Sequence, residues 1–372
     1  MDLFNFTLNA SIVNDTDTGP ERVAYLAPKI MSTILYSALF LVGLANFDLI
    51  LAVVRNQLYQ SVTNVYILNL SMADATLIIS LPFLLTITWT RSWIFGDVAC
   101  RLYWIAEQSN KYASMLFLTV LCVDRYLAIC MPIRSITLRT KRIAVAVALA
   151  CWLGVALVLV PVYLYAQTFK GNDNIHCVIV WPRDMNSTNG PSRTSAPEIQ
   201  FLTCGFVFMY IIPFFVIGIF YSQVLRRLSV LEEKRSHMQQ VTAQAAAKNQ
   251  SYSCTAPPIR PNNIGCKKLT NKPDTHHAHT NYYKRVTKLI LIIAMMHFVC
   301  WTPYWILNIY CVFRTPRTAN FAVRLLFNCI HLLPYLNSAV NPLLYGAFKP
   351  GENTRMLNRL LCGRQQGVET PV

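Results

Sequence analysis

Residues 63–89 read TNVYILNLSMADATLIISLPFLLTITW. The run exceeds the roughly 20 mostly apolar residues that carry a helix across a bilayer. It holds one formally charged side chain, Asp74, near its middle. A carboxylate at that depth is costly unless a cation, a proton or several hydrogen-bond donors compensate it. The stretch therefore reads as a membrane-spanning helix that carries a functional group inward.

Working outward, seven apolar stretches of spanning length follow one another: Pro28–Val54, Thr63–Trp89, Ala99–Ile129, Arg142–Tyr165, Glu198–Leu225, Val286–Phe313 and Asn320–Phe348. The chain is 54% hydrophobic and only 13% charged, where a soluble domain carries about 25%. The expected fold is an all-α membrane protein, a bundle of seven transmembrane helices. No internal repeat is visible, which argues against a transporter built from duplicated halves. Of the 12 cysteines, most lie inside apolar runs, where a thiol behaves as a small hydrophobe.

The net charge of +16 is read by side of the membrane, not as a nucleic-acid footprint. Arg134, Arg139, Lys141 and Arg142 follow span three. Arg226, Arg227, Lys284, Arg285 and Lys288 flank the connection between spans five and six, and Lys349, Arg355 and Arg359 follow span seven. The opposite loops are mixed in sign, so the positive-inside rule places the N-terminus outside and the C-terminus in the cytoplasm. Residues 1–28 form an extracellular segment with sequons at Asn5, Asn9 and Asn14; Asn186, after span four, is a fourth. Residues 1–20 are polar, so span one is expected to act as the signal anchor. Residues 29–348 form the bundle, with a polar, flexible cytoplasmic loop at 229–280. In the tail, 349–372, residues 350–361 fit a short amphipathic eighth helix ended by Cys362, a candidate palmitoylation site. Thr370-Pro371-Val372 suits the strand-addition groove of a PDZ domain.

Further polar groups sit at membrane depth: Glu107, Lys111, Asp124, Arg125, His297 and His331, with Asn46, Asn110, Ser114, Asn337, Ser338 and Asn341. Amides and hydroxyls there also serve as helix-to-helix glue. Glu107 and Lys111 stand at i and i+4, with the acid nearer the N-terminus, and are expected to pair within the helix. No metal-spaced His/Cys set, nucleophile elbow or phosphate-binding glycine loop is present in the loops, so an enzyme is not expected. A transporter or channel is the rival class, since it too buries charges.

The ordered motifs identify a family. They are Gly43 with Asn46; Leu70-Ser71-Met72-Ala73-Asp74; Asp124-Arg125-Tyr126; Trp152; Pro213 with Tyr221; Cys300-Trp301-Thr302-Pro303; and Asn341-Pro342-Leu343-Leu344-Tyr345. Together they resemble the rhodopsin-like G-protein-coupled receptors across all seven spans, an order that a transporter does not explain. Asn64-Val65-Tyr66-Ile67-Leu68-Asn69-Leu70, Trp93-Ile94-Phe95-Gly96 and Pro334-Tyr335-Leu336-Asn337-Ser338 look most like the neuropeptide receptors of the somatostatin, opioid and allatostatin-C group. Three positions depart from that group. Glu107 stands where an aspartate is usual, Lys111 where an apolar residue is usual, and His297 where a phenylalanine is usual. No lysine lies between Arg324 and Lys349 to hold retinal, and residues 1–29 lack the cysteine usual in chemokine receptors.

The resemblance implies an extracellular peptide ligand, a small non-peptide ligand being the alternative. It implies a heterotrimeric G-protein partner of the inhibitory class, and arrestin. It implies a Cys100–Cys177 disulfide and a sodium ion held by Asp74, Asn110, Ser114, Asn337 and Ser338. Ligand contacts are expected from Glu107, Gln108, Lys111, Tyr304, Asn308, Phe327, His331 and Tyr335. Activation and coupling are expected to run through Asp124, Arg125, Tyr126, Tyr221, His297, Trp301, Pro303, Asn341, Pro342 and Tyr345, with Pro132 and Ile133 meeting the Gα subunit. The basic loop ends also suit anionic membrane lipids.

Overall fold

The structure is a computed structural model that describes residues 20–171, 174–182, 195–252, 275–313 and 321–348. The sequons Asn5, Asn9, Asn14 and Asn186, the segment 350–361, Cys362 and the C-terminal tripeptide lie outside the described residues. Among the described residues, six helices are long and apolar enough to cross a membrane. The seventh bundle helix, Phe321–Phe348, is diluted in hydropathy by Asn328, His331, Asn337, Ser338, Asn341 and two prolines. It packs against spans one, two and six.

Span one is Pro20–Gly43 followed by Ala45–Arg55, broken at Leu44. At Gly43 span two comes close: a Cβ there would stand 2.4 Å from Ile78 Cδ1. Asn46 Nδ2 donates to the Ser338 carbonyl at 3.0 Å and ties span one to span seven. Span two, Val62–Thr90, buries Leu70, Ala73, Asp74, Leu77, Ile78 and Leu81, a face at helical spacing. Span three, Gly96–Cys130, runs through the centre, and residues 108–115 are buried on every side. Span four, Lys141–Tyr165, turns Leu149, Leu153 and Leu157 outward, and Thr140 Oγ1 caps its start. Its small Ala144 and Ala148 face the bundle, where they permit close approach. Trp152 Nε1 donates to Asn69 Oδ1 at 2.8 Å, joining spans four and two.

Span five is Ala196–Phe206, a π-helical turn Val207–Ile211, then Ile212–Tyr252. Pro213 lacks an N–H and its ring would clash with the carbonyl four residues earlier. The widened turn just before it accommodates that defect. Span six is Thr275–Phe313, with Pro303 inside it. These two helices correct the expectation of a flexible loop at 229–280. Span five continues to Tyr252 and span six begins at Thr275, leaving 253–274 outside the described residues. The extension is rich in Glu, Gln, Ala, Lys, Leu and Met, all good helix formers, so polarity there marks a solvated helix. Lys284 pairs with Glu232 across the two extensions.

At the end of the bundle where span three begins, β1 (Ala166–Lys170) and β2 (Ile175–Ile179) form an antiparallel hairpin with Thr168 opposite Cys177. The Cys100–Cys177 disulfide fastens it to the top of span three. The Thr168 N–H donates to Asp97 Oδ1 at 2.8 Å, and the Trp93 N–H donates to the Ile175 carbonyl at 2.7 Å. A short helix, Pro132–Leu138, follows span three with Pro132 in its first turn, where proline is tolerated.

Candidate functional site

Three polar layers lie along the axis of the bundle, each centred on a carboxylate of span two or three. The outermost is built on Glu107. Its Oε1 accepts from Ser80 Oγ of span two at 2.8 Å and from the hydroxyl of Tyr335 of span seven. Lys111, one turn deeper, does not meet it. The Lys111 Nζ lies instead 4.9 Å from the ring centre of Trp305, 5.2 Å from that of Tyr112 and 5.9 Å from that of Tyr304. This corrects the expected intrahelical pair. Glu107 is already engaged by donors of spans two and seven, and the three ring faces attract the ammonium to the other side of the helix. Lys111 is 7% exposed and forms no ion pair with a described residue.

The other expected ligand contacts divide. Tyr304 meets His331 edge-on at 5.5 Å and Trp301 edge-on at 5.5 Å, so both belong to this layer. The Gln108 side chain is buried, and its Oε1 finds no partner among the described residues. Asn308 donates its amide to the Tyr304 carbonyl of its own helix at 2.7 Å. Phe327 packs with Leu307 in a separate cluster between spans six and seven. Sequence reasoning missed Ser80, whose hydroxyl gave no local sign of its role.

The middle layer surrounds Asp74, which is fully buried. Ser338 Oγ donates to Oδ1 at 2.8 Å, Asn341 Nδ2 to Oδ2 at 2.8 Å and Asn110 Nδ2 to Oδ1 at 3.1 Å. Asn110 Nδ2 also lies 3.1 Å from Ser114 Oγ. Among the described residues, neither side-chain polar atom of Asn337 has a partner, nor has the Oδ1 of Asn110 or Asn341. The carboxylate, the Ser338 and Ser114 hydroxyls and the unpartnered amide oxygens of Asn110, Asn337 and Asn341 are a donor set that suits a small monovalent cation, since hard cations take oxygen ligands. The residues present fit such an ion. Asn341 is the addition here; it had been read only as part of the activation motif.

The innermost layer surrounds Asp124. Thr63 Oγ1 donates to it at 3.0 Å, Arg125 Nε at 3.1 Å and Arg139 Nε at 2.6 Å. The Arg125 Nη2 bonds both Asp124 and Thr63. Arg125 is 2% exposed, so this guanidinium is closed against span two and its own helix. Arg139 had been counted only among loop cations; nothing local marks it as a partner of a residue fifteen positions back.

Between the layers, His297 stacks on Trp301 at 5.7 Å. A continuous aromatic line thus runs His331, Tyr304, Trp301, His297, with Pro303 in the same helix. The Tyr221 hydroxyl donates to the Thr287 carbonyl at 3.1 Å, joining spans five and six, and the Tyr126 ring lies 4.8 Å from that of Phe220. The Tyr345 hydroxyl, three residues after Pro342, is buried without a partner among the described residues. Ile133, beside Pro132, is 84% exposed on the short helix after span three.

The comparisons with known proteins agree with this arrangement. The family described as 7 transmembrane receptor (rhodopsin family) matches residues 45–345. The chain is 27% identical over 369 residues to somatostatin receptor type 4 of Rattus norvegicus, covering 98% of this chain and 81% of the relative. It is 29% identical over 366 residues to somatostatin receptor type 3 of Mus musculus, covering 96% and 76%. It is 26% identical over 359 residues to somatostatin receptor type 2 of Sus scrofa, covering 96% and 84%.

Proposed function

Because the chain belongs to the rhodopsin family of seven-transmembrane receptors, we propose that it is a plasma-membrane receptor for an extracellular peptide that signals through an inhibitory-class G protein. One observation carries the reading. One bundle holds a charged pocket, an aromatic line that runs from it down span six to His297, and a buried, closed Asp124–Arg125 network. The similarity to receptors named for a peptide, somatostatin, supports a peptide ligand here.

In the closed arrangement Arg125 is spent on Asp124 and Thr63. A ligand lodged against Tyr304 and His331 would press on Trp301 and His297 and swing the cytoplasmic half of span six outward about Pro303. Tyr221 would leave the Thr287 carbonyl and, with Tyr345, turn toward Arg125. The opened cavity would receive the C-terminal helix of a Gα subunit, with Pro132 and Ile133 as an apolar contact at its rim. Arrestin would use the same opening. A sodium ion on Asp74, Asn110, Ser114, Asn337 and Ser338 would favour the closed state by compensating the buried carboxylate. The amide of Asn341 would release Asp74 as the ion binds.

The test is expression in cells, challenge with a panel of cyclic and linear neuropeptides, and measurement of nucleotide exchange. A peptide is expected to stimulate exchange in a pertussis-toxin-sensitive manner. Arg125→Ala is expected to abolish exchange with ligand binding and surface display retained. Full exchange in that variant would remove the mechanism, and toxin-insensitive exchange would remove the inhibitory class.

A further inference from the structure

The ligand pocket holds two opposite charges, and they face different sides. Glu107 is held toward spans two and seven by Ser80 and Tyr335. Lys111 is held toward span six by Tyr304 and Trp305, with Tyr112 of its own helix as the third wall. The carboxylate is satisfied by donors from two helices. The Lys111 side chain is more than nine-tenths buried, its ammonium lies against three ring faces, and it forms no ion pair with a described residue. Rings attract a cation through their quadrupoles, but they accept no conventional hydrogen bond from its three N–H groups. Glu107, one turn away, is engaged by Ser80 and Tyr335, and no carboxylate of a described residue bonds the ammonium, a costly arrangement for a buried ion. A second donor lies in the same wall. The Tyr112 hydroxyl is buried with no partner among the described residues, and it faces Gly205, where a Cβ would approach it to 2.8 Å. Span five therefore leaves this hydroxyl room only because residue 205 has no side chain.

We propose that Lys111, with the Tyr112 hydroxyl beside it, receives a carboxylate of the ligand. The group is either the free C-terminus of a peptide or an acidic side chain within it. The proposal rests on the reading of the chain as a peptide receptor and names what that peptide must carry. A carboxylate supplies the hydrogen-bonded partner that the ammonium lacks among the described residues, with the Tyr112 hydroxyl as a second donor in the same wall. It also draws the ammonium away from Trp305 and from Tyr304, the ring that meets Trp301 edge-on in span six. Recognition of the anion is thereby linked to the helix that opens.

The experiment compares three matched forms of each cyclic peptide in a panel: free acid, C-terminal carboxamide, and free acid with Asp and Glu replaced by Asn and Gln. Activation is read on the intact receptor in cells, with surface display measured by an N-terminal epitope. One neutralised form is expected to lose about tenfold or more in potency, as loss of a charge-assisted hydrogen bond implies. The form that loses it identifies which carboxylate is bound. Lys111→Gln is expected to erase the difference between the forms, Lys111→Arg to keep it, and Tyr112→Phe to reduce it. Equal potency of all three forms on the unaltered receptor would overturn the proposal without touching the peptide reading. Persistence of the difference in surface-displayed Lys111→Gln would also overturn it, placing the carboxylate elsewhere. Activation by no peptide in any form would count against the peptide reading itself and remove this proposal with it.

Discussion

Asp74 and Gly43 show how much depends on single atoms. Replacing Asp74 by Asn keeps the shape and the contacts to Ser338 and Asn110 but removes the one formal charge of the middle layer. Agonist affinity is expected to fall as sodium replaces a larger cation in the buffer for the unaltered receptor, and to be insensitive to sodium in Asp74→Asn. Radioligand competition at matched ionic strength measures it, and equal sodium dependence in both would dismiss the ion. Gly43 is a packing constraint of another kind. A methyl there would overlap Ile78, whose side-chain carbons stand 2.4–3.0 Å from the Cβ position. Overpacking of that sort costs about 1–3 kcal/mol. Gly43→Ala is expected to lower the thermal stability of the solubilised receptor. The double variant with Ile78→Ala should be more stable than the two single losses added together. Simple additivity would mean that the helices slide apart at little cost.

The elements respond to contacts that lie far along the chain. The helix Pro132–Leu138 is too short to be stable by itself in water. Arg139 at its end anchors it through two bonds to Asp124, at 2.6 and 3.3 Å. Charge-assisted bonds of this sort contribute about 1.5–3 kcal/mol. Arg139→Ala is expected to speed amide hydrogen exchange over residues 132–139 by roughly tenfold, leaving span three protected. Unchanged exchange would show that apolar contacts with the bundle suffice. The Lys284–Glu232 pair is different in weight. Glu232 is largely exposed, and exposed pairs contribute about 0–1 kcal/mol. Glu232→Gln is expected to leave thermal stability within that range, as differential scanning fluorimetry would record.

At the scale of the molecule, the disulfide-bonded hairpin and the Asp124 network close the two ends of one bundle. The Cys100–Cys177 bond spans 77 residues of sequence, and closing a loop of that length restrains the unfolded chain by roughly 4 kcal/mol. Cys177→Ala is expected to free the hairpin from span three, lower ligand affinity and reduce the amount of receptor at the surface. Binding assays on the displayed fraction separate the two effects. Unaltered affinity there would mean that the hydrogen bonds to Asp97 and from Trp93 hold the hairpin by themselves.

The sequence by itself determined the number, order and approximate limits of the spans, because long apolar runs and the absence of solvating water leave a helix few alternatives. It also determined the family, through motifs that each occupy one or two helical turns. It marked Asp74, Glu107, Lys111, Asp124 and Arg125 as groups needing partners, because charge at membrane depth is conspicuous in any apolar stretch. The tertiary structure decided who those partners are. Ser80 and Tyr335 reach Glu107 from 27 and 228 residues away, and Arg139 folds back onto Asp124 only once the short helix after span three is docked. Lys111 turned from its neighbour on the same helix to rings brought by span six. The extensions of spans five and six fell on the other side of this division. Their polarity resembled that of a loop, and only helix propensity, a weaker signal than hydrophobicity, spoke for the helix. Local rules fix which residues are placed in the membrane; packing among helices far apart in sequence fixes which of them meet.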